Sequence, residues 1–396
     1  MTKAYQESPF VTTESLSDPL ETLARLGAQQ ILQAALEAEV TEYLQRPRYQ
    51  RNGITRGYRS GYLPERRLTL GSGTVALKVP RVSDEPPGEK FRSQLVKPYQ
   101  KRSQAVDALF PKLFIEGLAT RDFEPALRAL LGAEAALSPS TVSRLNQQFK
   151  AEYAAWQVRS LTETQFVYLY ADGLYLAAGL GDERACLLIV VGVDTAGCKH
   201  FLALQAGYRE AKESWLGVLR DLRKRGLQAP ALAIGDGALG FWAALAEVFP
   251  LSKQQLCWLH KMRNLLDKLP RKEHAEAVLR LRAIQRASSR NAAEKLARRL
   301  IADWRKPYPS AAANLEEHLE RLLNFYDFPA EHWKHLRTSN VIESPFAAVR
   351  LRTDAAKRFR TVRSGVHLIW QLLLKQEKKW RRFNGAEKCA LVLLPR

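Results

Sequence analysis

Residues 166–173, Phe-Val-Tyr-Leu-Tyr-Ala-Asp-Gly, and residues 231–237, Ala-Leu-Ala-Ile-Gly-Asp-Gly, decide the fold. Each is an apolar run of strand length that stops at an acid followed by glycine. Between them, residues 185–193 and 199–206 read as two more strands on short links, so the first three strands are expected to pair antiparallel. Lys212 to Arg225 then has amphipathic helical spacing closed by Gly226. A helix crossover of this kind returns the chain as a strand parallel to an earlier one.

Three antiparallel strands, a helix and a parallel strand form the order of an RNase H-like α/β core, whose first and fourth strands lie side by side. Asp172 is therefore expected at the end of the first strand and Asp236 at the end of the fourth, close enough to share metal ions. On a period of two, Asp172 shares a face with Tyr168 and Tyr170, and Asp236 with Leu232 and Ile234. An unpaired carboxylate beside apolar neighbours is costly, and a divalent cation removes that cost. Asp-Gly after a strand is also a common turn signal, but its recurrence in the first and fourth strands favours the paired acids.

Downstream, Phe241 to Phe249 reads as helix, Gln254 to Cys257 as a short strand or extended entry, and His260 to Leu269 as helix. Residues 271–335 are helical throughout, with Pro307 and Pro309 as a break. A long helix begins near Asn340 and carries Glu343, the candidate third acid; Arg350 falls on the same face two turns on, where it can hold a phosphate or pair with an acid, although such a helical pair taken alone is more often a solvated one. Cys257 and His260, three residues apart, can face one way, although two ligands do not complete a structural zinc site.

Upstream, Asp18 to Gln45 is a helix whose apolar stripe needs a partner, either within the chain or across a dimer seam. Residues 48–98 alternate around Gly71-Ser-Gly73 as a basic β-hairpin. Two capped helices follow, one closing at Leu131 and Gly132 after Thr120, the other opening at Ser138-Pro139. The second offers Thr141, Ser143, Arg144 and Gln147, residue types that reach base edges or phosphates.

The 396 residues carry a formal charge of +20, and its partition is informative. The net charge is −5 over residues 1–45, +10 over 46–112, −1 over 113–260, +6 over 261–335 and +10 from 344 onward. Basic arms around a nearly neutral middle fit outer modules that grip phosphates and a carboxylate centre that holds metal. The four cysteines show no paired zinc-knuckle spacing and read as reduced thiols of a cytoplasmic, nucleoid-associated protein. The first residues lack a signal-peptide pattern, and the apolar stretch near Ala185 to Val193 is too short to span a membrane.

These residues together resemble the bacterial Mutator-type insertion-sequence transposases, DDE enzymes, over nearly the whole chain. The specific pieces are Ala171-Asp172-Gly173, Gly235-Asp236-Gly237, the run Gln255-Leu-Cys257-Trp-Leu-His260-Lys-Met-Arg263-Asn264, and Thr338-Ser-Asn340-Val-Ile-Glu343-Ser344. Gly117-Leu-Ala-Thr120-Arg121-Asp122 and Leu137 to Ser143 also match. One departure is Pro345-Phe346, where the family has Leu-Asn; proline belongs in a first helical turn, so Glu343 should stand at the helix start.

The resemblance implies an RNase H-like catalytic core interrupted by an all-helical insertion, preceded by a helical and β-hairpin N-terminal region and a helix-turn-helix. The expected divisions are 1–47, 48–112, 113–158, 159–263 as the first part of the core, 264–335 as the insertion, and 336–396 as the rest of the core with its basic tail. Asp172, Asp236 and Glu343 would be the metal-binding triad, taking two Mg2+ or Mn2+ ions for strand cleavage and strand transfer. Cys257, His260, Asn340 and Arg350 would stand near the site. Arg121, Thr141, Ser143, Arg144, Gln147, Arg352, Lys357 and Arg358 would contact DNA, namely the terminal inverted repeats and the target, with two or more protomers acting together. The competing readings are a non-catalytic DNA-binding regulator derived from a transposase and a nuclease of the same fold.

Overall fold

The computed structural model describes residues 18–50, 56–116, 123–131, 135, 139–177, 184–207, 209–237, 239–356, 359 and 361–394. The chain divides into two compact units, Met1–Leu145 and Asn146–Arg396.

In the first unit, helix α1 (Pro19–Leu44) opens where the Asp18 carboxylate accepts the Leu20 amide at 2.9 Å. Only its C-terminal half is buried: Leu36, Val40 and Leu44 pack on the strands, whereas Leu20, Leu23, Leu26 and Ile31 stay exposed. The strands form two small antiparallel sheets. Strand β1 (Tyr58–Tyr62) pairs with β4 (Pro80–Ser83), and β2 (Arg66–Leu70) forms a hairpin with β3 (Gly73–Leu77). The expected single hairpin is thus one of two sheets, because the flanking strands β1 and β4 pair with each other. Leu36 caps a core of Leu68, Val75, Leu77, Val79 and Val96. Short helices α2 (Gln104–Asp107) and α3 (Leu109–Glu116) follow, then α4 (Phe123–Leu131). Helix α5 (Pro139–Gln157) begins at proline, as the sequence indicated. The caps expected at Thr120 and Ser138 lie outside the described residues.

The second unit is a mixed α/β domain. Strands β5 (Phe166–Ala177), β6 (Arg184–Asp194), β7 (Lys199–Gly207), β8 (Leu232–Gly235) and β9 (Lys253–Leu256) form one sheet in the order β7-β6-β5-β8-β9. The first three pair antiparallel; β8 is parallel to β5, and β9 to β8. Helix α6 (Lys212–Lys224) makes the crossover and ends at Gly226, whose φ of +107° suits a residue without a side chain. It buries Trp215, Val218, Leu219 and Leu222, and Trp215 meets Phe241 of α7 (Leu239–Val248) with ring centroids 5.0 Å apart.

Strand β5 is longer than its sequence suggested. It runs through Asp172 to Ala177 because β6 continues the ladder beyond the acid, with Asp172 facing Ile189 and Gly173 facing Leu188. Asp172 is therefore inside a strand, not at its end. The helix after β9 also starts two residues early, as α8 (Trp258–Leu266).

From there the chain is helical: α9 (His274–Gln285), α10 (Arg290–Trp304), α11 (Pro309–Leu323) and α12 (Trp333–Leu336), with short 3-10 turns between. This block is bonded to the sheet through β5 and β9 and to the start of α8. The Leu322 carbonyl accepts the Trp258 indole at 2.8 Å and the Gln255 amide at 3.1 Å. The Tyr168 hydroxyl bonds His332 Nδ1 at 2.7 Å, and the Tyr170 hydroxyl donates to the His335 carbonyl at 3.0 Å. Helix α13 (Asn340–Ala356) then returns to β5, and α14 (Val362–Glu377) packs on β7. All four cysteines are free thiols. Among the described residues no helix is long and apolar enough to cross a membrane.

Candidate active site

Pairing between β5 and β8 sets Tyr168 beside Leu232, Leu169 beside Ala233 and Tyr170 beside Ile234. The same register continued by two residues brings Asp236 opposite Asp172. One strand further, Gly235 pairs with Leu256, and the Cys257 amide donates to the Gly235 carbonyl at 2.8 Å. Three neighbouring strands thus deliver Asp172, Asp236 and Cys257 to one edge.

Asp172 is half-buried and accepts the Gly173 amide at 2.8 Å. Burial, then the Asp236 and Glu343 carboxylates, push it up to about 7 from an ordinary 3.8, against the opposing pull of the Gly173 amide and His260. The third acid is therefore within electrostatic reach of the first. Glu343 lies in the first turn of α13, its amide donating to the Ser339 carbonyl at 3.0 Å. The Ser339 hydroxyl donates to Glu343 Oε1, and His260 Nδ1 is 3.8 Å from the same oxygen. Pro345 lies inside the helix rather than in its first turn, so it has no amide for the Val341 carbonyl. Glu343 is nevertheless at the helix start, as expected.

Cys257 is buried and accepts the Ser339 amide at 3.3 Å. Burial alone would raise its thiol, but the neighbouring His260 and Ser339 outweigh it and the net shift is downward. His260 is pushed up to about 9, chiefly by Cys257 and, against desolvation, also by Glu343 and Asp236. Asn340 and Arg350 are exposed on α13. Asn340 lines a cleft of about 400 Å³ together with Ser344, Lys199, Lys334, Lys379 and Arg381.

A fourth acid was not singled out from the sequence. Glu210 lies in the turn between β7 and α6, next to Arg209 with its φ of +58°. It accepts the Tyr175 hydroxyl at 3.2 Å, and burial and Asp236 raise its pKa. A side chain on Gly173 would collide with its carboxylate, and one on Gly240 with its carbonyl. The only sequence signal is indirect: two glycines, one beside Asp172 in β5 and one four residues past Asp236 in α7, make room for it.

Of the residues expected to touch DNA, Arg144 and Gln147 are exposed on α5. Arg121, Lys357 and Arg358 lie outside the described residues, as do the side chains of Thr141, Ser143 and Arg352.

Residues 4–383 match the family described as "Transposase, Mutator family". The chain is 44% identical over 284 residues to the transposase for insertion sequence element IS6120 of Mycolicibacterium smegmatis, covering 72% of this chain and 88% of that one. It is 30% identical over 357 residues to the transposase for ISRM5 of Rhizobium meliloti (strain 1021), covering 89% and 87%. The HTLV-2 integrase catalytic core domain, solved with magnesium, overlaps 32% of this chain and 88% of its own at 16% identity, with a TM-score of 0.18.

Proposed function

Because the chain belongs to the Mutator family of transposases, we propose that it cleaves and joins DNA at Asp172, Asp236 and Glu343. The observation that carries this reading is the β5–β8 register, which aligns the two aspartates while Glu343 is near enough to raise Asp172. Three acids gathered at a half-buried edge repel one another unless a cation is shared among them. Their oxygens are hard donors and suit Mg2+ or Mn2+. When bound, a pair of such ions would activate the attacking hydroxyl and stabilise the leaving oxygen.

The chain's own part is placement. The Gly173 amide fixes one oxygen of Asp172, and the Ser339 hydroxyl fixes one of Glu343. The basic cleft at the start of α13 offers four cationic side chains for phosphates beside the site. In this reading the second unit is an RNase H-like core and residues 264–335 are its helical insertion. The basic region 48–112, the helix pair within 113–158 and the tail bind the terminal inverted repeats and target DNA, with at least two protomers bringing the element ends together.

The test incubates purified protein with labelled element-end DNA, target DNA and Mg2+. Wild type should give joined product, and Asp172→Ala, Asp236→Ala and Glu343→Ala should each abolish it. Undiminished joining by any of the three removes that residue from the site, and cleavage without joining favours a nuclease.

A further inference from the structure

We propose that Cys257, His260 and Glu343 form a separate cation site that takes Zn2+ or another thiophilic divalent ion, and that its occupation withdraws Glu343 from the aspartates. Each residue offers a ligand atom of a kind zinc accepts, and the three atoms lie within 4.8 Å of one another. A tetrahedral zinc sets its ligand atoms about 3.4–3.6 Å apart. His260 Nδ1 and Glu343 Oε1, at 3.8 Å, already approach that spacing.

Two features of the cluster suit a bound cation. His260 Nδ1 is buried and stands 3.8 Å from Glu343 Oε1, too far for a hydrogen bond but close enough to share a cation with it and with the neighbouring Cys257. Ser339 also holds two of the three ligands from behind, its amide on Cys257 Sγ and its hydroxyl on Glu343 Oε1. Outer hydrogen bonds of this kind orient the ligands of metal sites. The donor set is what separates this site from its neighbour. Asp172 and Asp236 give hard oxygens only, whereas a thiolate and an imidazole select softer ions. Glu343 is common to both, so an ion that draws its carboxylate onto Cys257 and His260 competes with the aspartate site for it. This inhibitory consequence rests on the catalytic reading of Glu343; the binding itself does not.

The test titrates metal-stripped full-length protein with Co2+, read by the thiolate-to-cobalt charge-transfer band, and then displaces it with Zn2+. Wild type should bind a single thiolate-ligated Co2+ per chain. Cys257→Ser should lose the band, and Cys257→Ser and His260→Gln should each weaken Zn2+ binding more than about tenfold, the scale on which site residues act. Asp172→Asn should leave the spectrum unchanged. Absence of the band in wild type, which no folding defect can explain, overturns the site, as does Zn2+ affinity untouched by both variants. In the Mg2+ joining assay, Zn2+ should inhibit over the concentrations that displace Co2+. No inhibition at saturation would overturn the withdrawal of Glu343. If Asp172→Asn still joins DNA, the catalytic reading fails while the cobalt spectrum still decides this one.

Discussion

The carboxylate of Glu210 occupies the space that a side chain on Gly173 would fill. An acid from the turn before α6 is thereby held against the residue that follows Asp172, and its backbone carbonyl is pressed equally close to Gly240. The two contacts differ in kind, because a carboxylate can swing aside and a backbone carbonyl cannot.

Gly173→Ala should therefore fold with little loss of stability but move Glu210 away from Asp172. Gly240→Ala should cost about 1–3 kcal/mol, the usual penalty for overpacking. Urea denaturation midpoints of the two variants check this. Equal midpoints would show that the turn yields as easily as the side chain.

Asp172 gives the protein a pH signature in the absence of metal. Its raised value means that the folded chain keeps a proton the unfolded chain has released between about pH 4 and 7. The group's contribution to stability is fully present below about pH 4 and is lost as pH rises through about 7. At roughly 1.4 kcal/mol per pKa unit, the loss is at most about 4 kcal/mol. Asp172→Asn should thus be more stable than wild type at pH 8 in EDTA, with the advantage shrinking toward pH 5. Parallel stability curves for the two proteins would refute the assigned burial of charge.

Ser339→Ala removes the hydroxyl that aims Glu343 while leaving the backbone bond to Cys257 intact. Joining should fall by about 10–100-fold, with the Mg2+ requirement shifted upward, and Ser339→Thr should restore most of it. An unchanged Mg2+ dependence would mean that Glu343 finds its place without help.

Tyr168→Phe deletes a buried hydroxyl that bonds His332 Nδ1 at 2.7 Å. Leaving that ring nitrogen unsatisfied should cost about 1–3 kcal/mol. The variant should still join DNA at a permissive temperature, since the bond lies between the sheet and the helical block. A thermal melt beside a joining assay separates the two effects.

The strands and helices of the second unit were legible because each has a clear period and a clear stop. Lys212 to Gly226 and the entry at Asn340 are examples; both aspartates stood out by their strands, whereas Glu343, which alone reads as half of a solvated helical pair, depended on the family resemblance. What escaped depends on partners. Nothing local says that β5 passes through Asp172, because the ladder from Asp172–Ile189 to Ala177–Arg184 is made by the next strand. Glu210 was hidden for a similar reason: a lone acid before a helix reads as an ordinary first-turn residue until Gly173 and Gly240 close around it. The stripe of α1 was visible, but which half would be covered was not, and only Leu36, Val40 and Leu44 are buried.

The two aspartates are joined by a ladder of backbone hydrogen bonds, not by the length of chain between them. The turn at Thr195 to Cys198 takes no part in that ladder. A slip of β8 by a single position, in contrast, would turn Asp236 to the opposite side of the sheet. The alignment of the two acids accordingly depends on the short run Leu232–Gly235 keeping its seat.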